Sequence, residues 1–200
     1  MAPTSNAPQH ARIVTTRKVC HAPKKTVISP AKLANPGRPH PAKAAINKAI
    51  AATKRAGHKV ALTLSDPFCV GRWREEFLHL WKNDLDILFA NEEEAKALFE
   101  VEDFDAALQS ARHKDGILAL TRSEKGCVVA SGNELHVLDA EPVARVVDTT
   151  GAGDQFAAGF LYGLTHGQPL DRCGRLGAKA AAEVISHYGA RPETSLAKFL

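Results

Sequence analysis

The chain has 200 residues, is 44% hydrophobic and carries a formal charge of +4 at neutral pH, which suits one sizeable α/β domain with a buried core. No apolar run approaches the roughly 20 residues that span a bilayer, and the start lacks the apolar core of a signal peptide, so a soluble, cytoplasmic protein is expected. The net charge averages two unlike segments: residues 1–60 hold 12 Lys and Arg and no Asp or Glu, which leaves 14 basic against 22 acidic residues in the other 140.

Residues 1–41 contain seven of the 11 prolines, many Ala and Lys, and only isolated apolar residues such as Ile13, Val14, Val27 and Ile28. That composition predicts a basic, disordered head with no packed element. Its charge would suit nucleic acid or an anionic membrane, yet residues 1–60 offer no aromatic side chain to stack on a base. A mitochondrial transit peptide also fits an acid-free start, but the scattered prolines would interrupt the helix it needs. A solvated tail is the expected reading. Cys20, Cys69, Cys127 and Cys173 show no C-x-x-C spacing and read as reduced thiols, and the nine His residues show no metal-ligand spacing.

From residue 42 the texture changes. Ala44, Ala45, Ile46, Ala49, Ile50 and Ala52 recur at helical spacing and Gly57 supplies a stop, predicting a helix over 42–56. A β-like run over 59–64 then ends at Ser65-Asp66-Pro67. The step repeats with a helix over 72–81 and an apolar strand over 85–89; Trp73, Phe77, Trp81 and Phe89 fall on these periods and read as core. Asn91-Glu92-Glu93-Glu94 opens a helix through Phe99, its acidic residues favoured by the helix dipole, and Asn91 and Glu94 share one face. A helix over 104–113, a strand over 116–120, the polar turn Thr121-Arg122-Ser123-Glu124-Lys125-Gly126 and a hairpin of 127–130 with 135–138 follow. A strand over 143–147 and helices over 155–164 and 170–187 complete the pattern.

Alternating helix and strand predicts an α/β fold with a mostly parallel sheet and helices on both faces. Right-handed crossovers would gather the strand C-terminal ends on one edge, where ligands bind. Residues 65–67, 91–94, 121–126 and 148–154 would then be neighbours. Among them Asp148-Thr149-Thr150-Gly151-Ala152-Gly153-Asp154 is the most informative. Its small residues, placed between a strand and a helix, admit a ligand close to the backbone and leave the first helical amides pointing at it, which makes an anion site. An aspartate closing such a turn would repel a phosphate, so it is better explained as a base beside the anion hole, and the arrangement points to phosphoryl transfer. Helix-dipole stabilisation alone accounts for Asp154 but not for the small-residue cradle.

This stretch, continued by Gln155-Phe156-Ala157-Ala158-Gly159-Phe160, resembles the C-terminal signature of the PfkB, or ribokinase-like, carbohydrate kinases. Asn91-x-x-Glu94 resembles their N-x-x-E motif and residues 121–126 their nucleotide-contacting turn, while Ser65-Asp66-Pro67-Phe68-Cys69 is similar to the adenosine kinase-like branch. The resemblance covers residues 42–200 and implies a doubly wound sheet. It implies an ATP-dependent phosphotransferase acting on an alcohol group of a sugar or nucleoside, with an adenosine-like acceptor favoured. In it Asp154 would be the catalytic base, with Gly151, Ala152 and Gly153 as the anion hole. Asn91 and Glu94 would hold Mg²⁺ and its waters, and Thr121, Arg122, Ser123, Gly126, Thr149 and Thr150 would line the nucleotide. Asp148 and carbonyls near Gly189 resemble a monovalent-cation (K⁺) site; an Asx turn or helix cap is the other reading of Asp148. Ser123 stands where the family usually has glycine.

Family members carry an N-terminal half with a Gly-rich first motif, most of the substrate pocket and a β-sheet lid, and no counterpart is visible here. The expectation is therefore a head, 1–41, joined to the C-terminal nucleotide-binding part, 42–200, truncated and weakly active or inactive alone. A non-catalytic nucleotide-binding remnant and a basic-tailed interaction protein are the alternatives. An open apolar sheet edge would favour pairing, giving a homodimer as a further expectation.

Overall fold

The computed structural model describes residues 13–17, 41–112 and 116–199. Its elements run β1 (Ile13–Arg17), α1 (Pro41–Arg55), β2 (Lys59–Thr63), α2 (Pro67–Arg72), α3 (Arg74–Asn83), β3 (Ile87–Asn91), α4 (Glu92–Phe99), α5 (Phe104–Ala111), β4 (Ile117–Thr121), β5 (Cys127–Ser131), β6 (Glu134–Leu138), α6 (Ala152–Thr165) and α7 (Leu170–Val184). Short 3-10 turns, Ser123–Lys125 and Leu196–Phe199, follow β4 and close the chain.

The strands form one sheet in chain order, β1 to β6. Neighbours from β1 to β4 are parallel, and β5 and β6 complete the sheet as an antiparallel hairpin. Strand residues point alternately to opposite faces, and the core divides accordingly. Val60, Leu62, Leu88, Ala90, Leu118, Leu120, Val128 and Ala130 pack with Ile50 of α1 and with apolar residues of α2, α3, α4 and α5. Ala61, Ile87, Phe89, Ile117, Ala119, Cys127 and Val129 pack on the other face with Phe156, Ala157 and Phe160 of α6 and Cys173 of α7. The sheet is thus buried on both sides, which is why β2, β3 and β4 read as continuous apolar runs. Phe77, Trp81 and Phe89 are core, as expected, and Trp73 is partly buried against them.

The pairing of α6 and α7 is unusually close. A Cβ on Gly159 would stand 2.5 Å from the Leu176 carbonyl oxygen, and one on Gly177 would stand 2.8 Å from that of Phe156. Only glycine lets the two backbones touch there. Phe160 meets Phe89 edge-to-face, with centroids 5.4 Å apart, and so seats α6 against the middle of β3.

Four expectations need correction. Residues 143–147 form no strand; the Val147 amide donates instead to the Ile185 carbonyl just past α7, at 2.8 Å. A β-prone composition makes a strand only where a ladder partner is available. Residues 13–17 do form a strand, β1, paired in parallel with β2, so a head with no packed element fails at that point; the rest of 1–40 lies outside the described residues. The expected helix over 72–81 is present as α3 from Arg74, but an additional helix that was not expected, α2, precedes it, started by Asp66 and Pro67. Finally, Cys69 is disulfide-bonded, whereas Cys127 and Cys173 are free and buried.

Candidate active site

β2, β3 and β4 are adjacent and parallel, so three of the sequence motifs do share one edge. Each begins a helix or turn with its own local chemistry. After β2, Ser65 adopts a left-handed conformation (φ +70°), and Asp66 caps α2 by accepting from the Cys69 amide at 3.0 Å. After β3, Asn91 and Glu94 form a reciprocal capping box: the Asn91 side chain accepts from the Glu94 amide at 2.8 Å, and the Asn91 amide donates to Glu94 Oε2 at 2.9 Å.

The capping box changes how the Asn91 and Glu94 pair is read. Asn91 Oδ1 is engaged by the helix, so its part is to orient Glu94. Glu94 is 5% exposed, and among the described residues its Oε1 accepts no hydrogen bond. Burial pushes its carboxyl above the usual range; the bond from the Asn91 amide works against this, and the charge of Asp66 adds to it. Two carboxylates therefore lie close enough to repel at adjoining strand ends.

Glu92 has a different role. Burial would raise its pKa, but the Arg122 hydrogen bond and charge, aided by Lys125 and Lys96, hold it below the usual value. Arg122 Nε donates to it at 3.0 Å, and the guanidinium lies 3.9 Å from the Phe104 ring centroid. That side chain ties the turn to α4 and α5. The turn itself is shaped by backbone. Ser123 has φ +51°, the left-handed conformation that explains a glycine preference there. At Gly126 a Cβ would collide with the Leu138 carbonyl oxygen. Thr121 lies opposite Asn91 in the parallel register.

The fourth motif forms the first turn of α6. Gly151 is its N-cap, left-handed (φ +83°) and without a side-chain cap, and a Cβ there would stand 2.6 Å from that of Ala190. Ala152 donates to the Thr149 carbonyl at 3.2 Å. Gly153 opens onto free space, and its amide meets no acceptor among the described residues. Asp154 follows in the same turn, half-buried. Asp148 accepts from the Thr150 amide at 2.9 Å and from the Gly189 amide at 3.0 Å. Hydrogen bonds from the Thr150 side chain and amide and from the Gly189 amide hold its carboxyl below the usual range. The Asx-turn reading of Asp148 fits this geometry. The juxtaposition with Gly189 is present, but through an amide donor and not a carbonyl, and no group of three or more His, Cys, Asp or Glu among the described residues could hold a metal.

Sequence reasoning missed the support beneath this turn. Ala190 packs on Gly151 and accepts from Gln155 Nε2 at 3.2 Å. Glu183 binds the returning chain through the amides of Glu193 (3.0 Å) and Thr194 (2.9 Å). The Gly189-Ala190 pair was the visible signal; nothing in the spacing marked Glu183.

A glycine-opened helix N-terminus with a first-turn aspartate stands on a mostly parallel sheet covered by helices on both faces, which defines an α/β protein. The description "pfkB family carbohydrate kinase" matches residues 31–196, and the chain belongs to that family. The match begins before residue 42, where the motifs alone had placed the start. A cytidine kinase of Thermococcus kodakarensis is 39% identical over 119 residues, covering 58% of this chain and 42% of that protein. The crystal structure of adenosine kinase from Sinorhizobium meliloti superposes with a TM-score of 0.77 at 48% identity, over 80% of this chain and 49% of that one. Fructokinase from Vibrio cholerae, in its fructose, ADP and calcium ion bound form, is 22% identical with a TM-score of 0.67 over 92% of this chain and 57% of that one, a likeness of fold alone. The chain spans about half the length of these relatives. Among the described residues no helix is long and apolar enough to cross a membrane.

Proposed function

We propose that this chain carries the nucleotide-binding part of an ATP-dependent kinase that phosphorylates an alcohol group of a nucleoside or sugar. The α6 N-terminus carries the reading, because its cap is a glycine, the Gly153 amide meets no acceptor among the described residues, a Cβ on Gly153 would meet nothing, and Asp154 stands in the same turn. In the reaction the acceptor oxygen bonds to the γ-phosphorus of ATP, the bond from that phosphorus to the bridging oxygen breaks, and the hydroxyl proton passes to the Asp154 carboxylate. The amides of Gly151, Ala152 and Gly153 offset charge on the transferred group, and the backbone turn of Thr121, Ser123 and Gly126, with Thr149 and Thr150, borders the nucleotide.

The Glu94 carboxylate suits Mg²⁺, a hard cation that takes one or two carboxylates and keeps its waters. Its burial, an Oε1 that accepts no hydrogen bond among the described residues, and the nearby charge of Asp66 are the observations that fit. Bound there, Mg²⁺ supplies charge neutralisation at the nucleotide phosphates. Asp148 has both oxygens engaged by amides, so no step is assigned to a monovalent cation. The likeness to adenosine and cytidine kinases favours a nucleoside acceptor.

Calorimetric titration with Mg-ADP tests the nucleotide half, and absence of binding sinks it. Turnover with ATP, Mg²⁺ and a nucleoside and sugar panel tests the chemistry. Asp154→Asn is expected to lower turnover by about 10²–10⁴-fold with ADP affinity retained; an unchanged rate removes Asp154 as base.

A further inference from the structure

We propose that Glu183 is a positioning residue for the anion cradle, acting through the loop that leaves the end of α7, passes over the cradle and returns. The inference rests on the nucleotide-binding reading above and assigns a determinant of that site outside its sequence motifs. The cradle has little support of its own. Its N-cap is a glycine with no side chain, and residues 141–150 before it form no strand.

Support comes from the far end of α7. The Ile185 carbonyl accepts from Val147, Gly189 donates to Asp148, Ala190 fills the space against Gly151, and the Ala190 carbonyl accepts from Gln155. Residues 189–190 thus grip the cradle on both sides. They lie outside regular structure, and an unrestrained loop would lose conformational order at a cost to any ligand that needs it fixed.

Glu183 supplies the restraint. Its Oε1 accepts from the Glu193 amide at 3.0 Å, the Thr194 amide at 2.9 Å and Thr194 Oγ1 at 3.1 Å, while its Oε2 faces His187 Nε2 at 3.5 Å. One carboxylate, 7% exposed, therefore fixes the return of the loop to the helix it left. Bonds to an ionised acceptor are stronger than neutral ones, and removing the one oxygen that takes three donors leaves all three without that partner.

The experiment uses the whole chain as wild type, Glu183→Ala and Glu183→Gln, with two readouts: Mg-ADP affinity by calorimetry and amide exchange at residues 151–153 and 189–194. Glu183→Ala is expected to weaken ADP binding about tenfold and to speed exchange in both stretches while β2, β3 and β4 keep their protection. Glu183→Gln retains an oxygen for the three donors and is expected to recover affinity to within about threefold of wild type. ADP binding by Glu183→Ala equal to wild type, with unchanged exchange, overturns the inference and leaves the nucleotide reading standing. Lack of recovery by Glu183→Gln also overturns it. Faster exchange in Glu183→Ala with no ADP binding by wild type supports the positioning role and removes the nucleotide reading instead. Should Glu183→Ala lose protection throughout the sheet, Glu183→Gln with Thr194→Ala decides: wild-type affinity and exchange in that double variant overturns the role.

Discussion

α4 and α6 both begin with a motif of the same family, yet their N-termini are finished in opposite ways. At α4 the first-turn amides meet side-chain oxygens in a closed capping box, and three glutamates add negative charge. At α6 the cap is a glycine, no side chain reaches back, and the one acid of the first turn is Asp154. A helix start closed by its own side chains repels an anion and presents a carboxylate suited to a cation. One left open offers amides to an anion. In the proposed function the two helix starts would take complementary parts of one metal-nucleotide complex through the choice of cap.

Closing the open end should have the largest effect. Gly151→Ala places a Cβ against Ala190 and strains a left-handed backbone, so a loss of about 2–3 kcal/mol in urea unfolding is expected, with Mg-ADP binding abolished. Retained stability and binding would break the contrast. Opening the closed end comes next: Asn91→Ala removes half of the capping box and should cost about 1 kcal/mol, with metal-dependent ADP binding weakened because Glu94 loses its orientation.

Glu94→Gln separates charge from capping, since glutamine can serve in a capping box. Glu94 is raised above its ordinary value of 4.5. The folded state therefore holds its proton more tightly than the unfolded one, and wild-type stability falls as pH rises from that ordinary value through the folded value. Melting scans should show Glu94→Gln more stable than wild type above that window and no different below it, and Mg²⁺ should stabilise wild type but not the variant. The smallest effect is expected at the third strand end. Ser123→Gly relieves a left-handed serine and should stabilise by about 0.5 kcal/mol, measured by urea unfolding with an unchanged slope.

Much of the sheet could be read from the sequence because β2, β3 and β4 are buried on both faces and separated by amphipathic helices. β1 could not, since its five residues sit in a Lys- and Pro-rich stretch and gain their meaning only from pairing with β2. Residues 143–147 misled in the reverse direction: their β-prone side chains find no ladder partner. At the site, Gly151 and Asn91 were legible because turns and caps demand particular residue types. The partners of Arg122 and Glu183 were not, because a long side chain reaches groups that local spacing does not reveal: Glu92 is 30 residues from Arg122 and Thr194 is 11 from Glu183.

The glycine seam between α6 and α7 has a mechanical consequence. Gly159 lies eight residues along the helix from Gly151, about 12 Å at the α-helical rise. A methyl group there would wedge the two backbones apart and swing the start of α6 like a lever, while the 189–190 loop stayed anchored to α7. The fit between cradle and loop would open at the far end, away from the substitution itself. Nucleotide affinity would then fall in a protein that still folds, through a residue that touches no ligand.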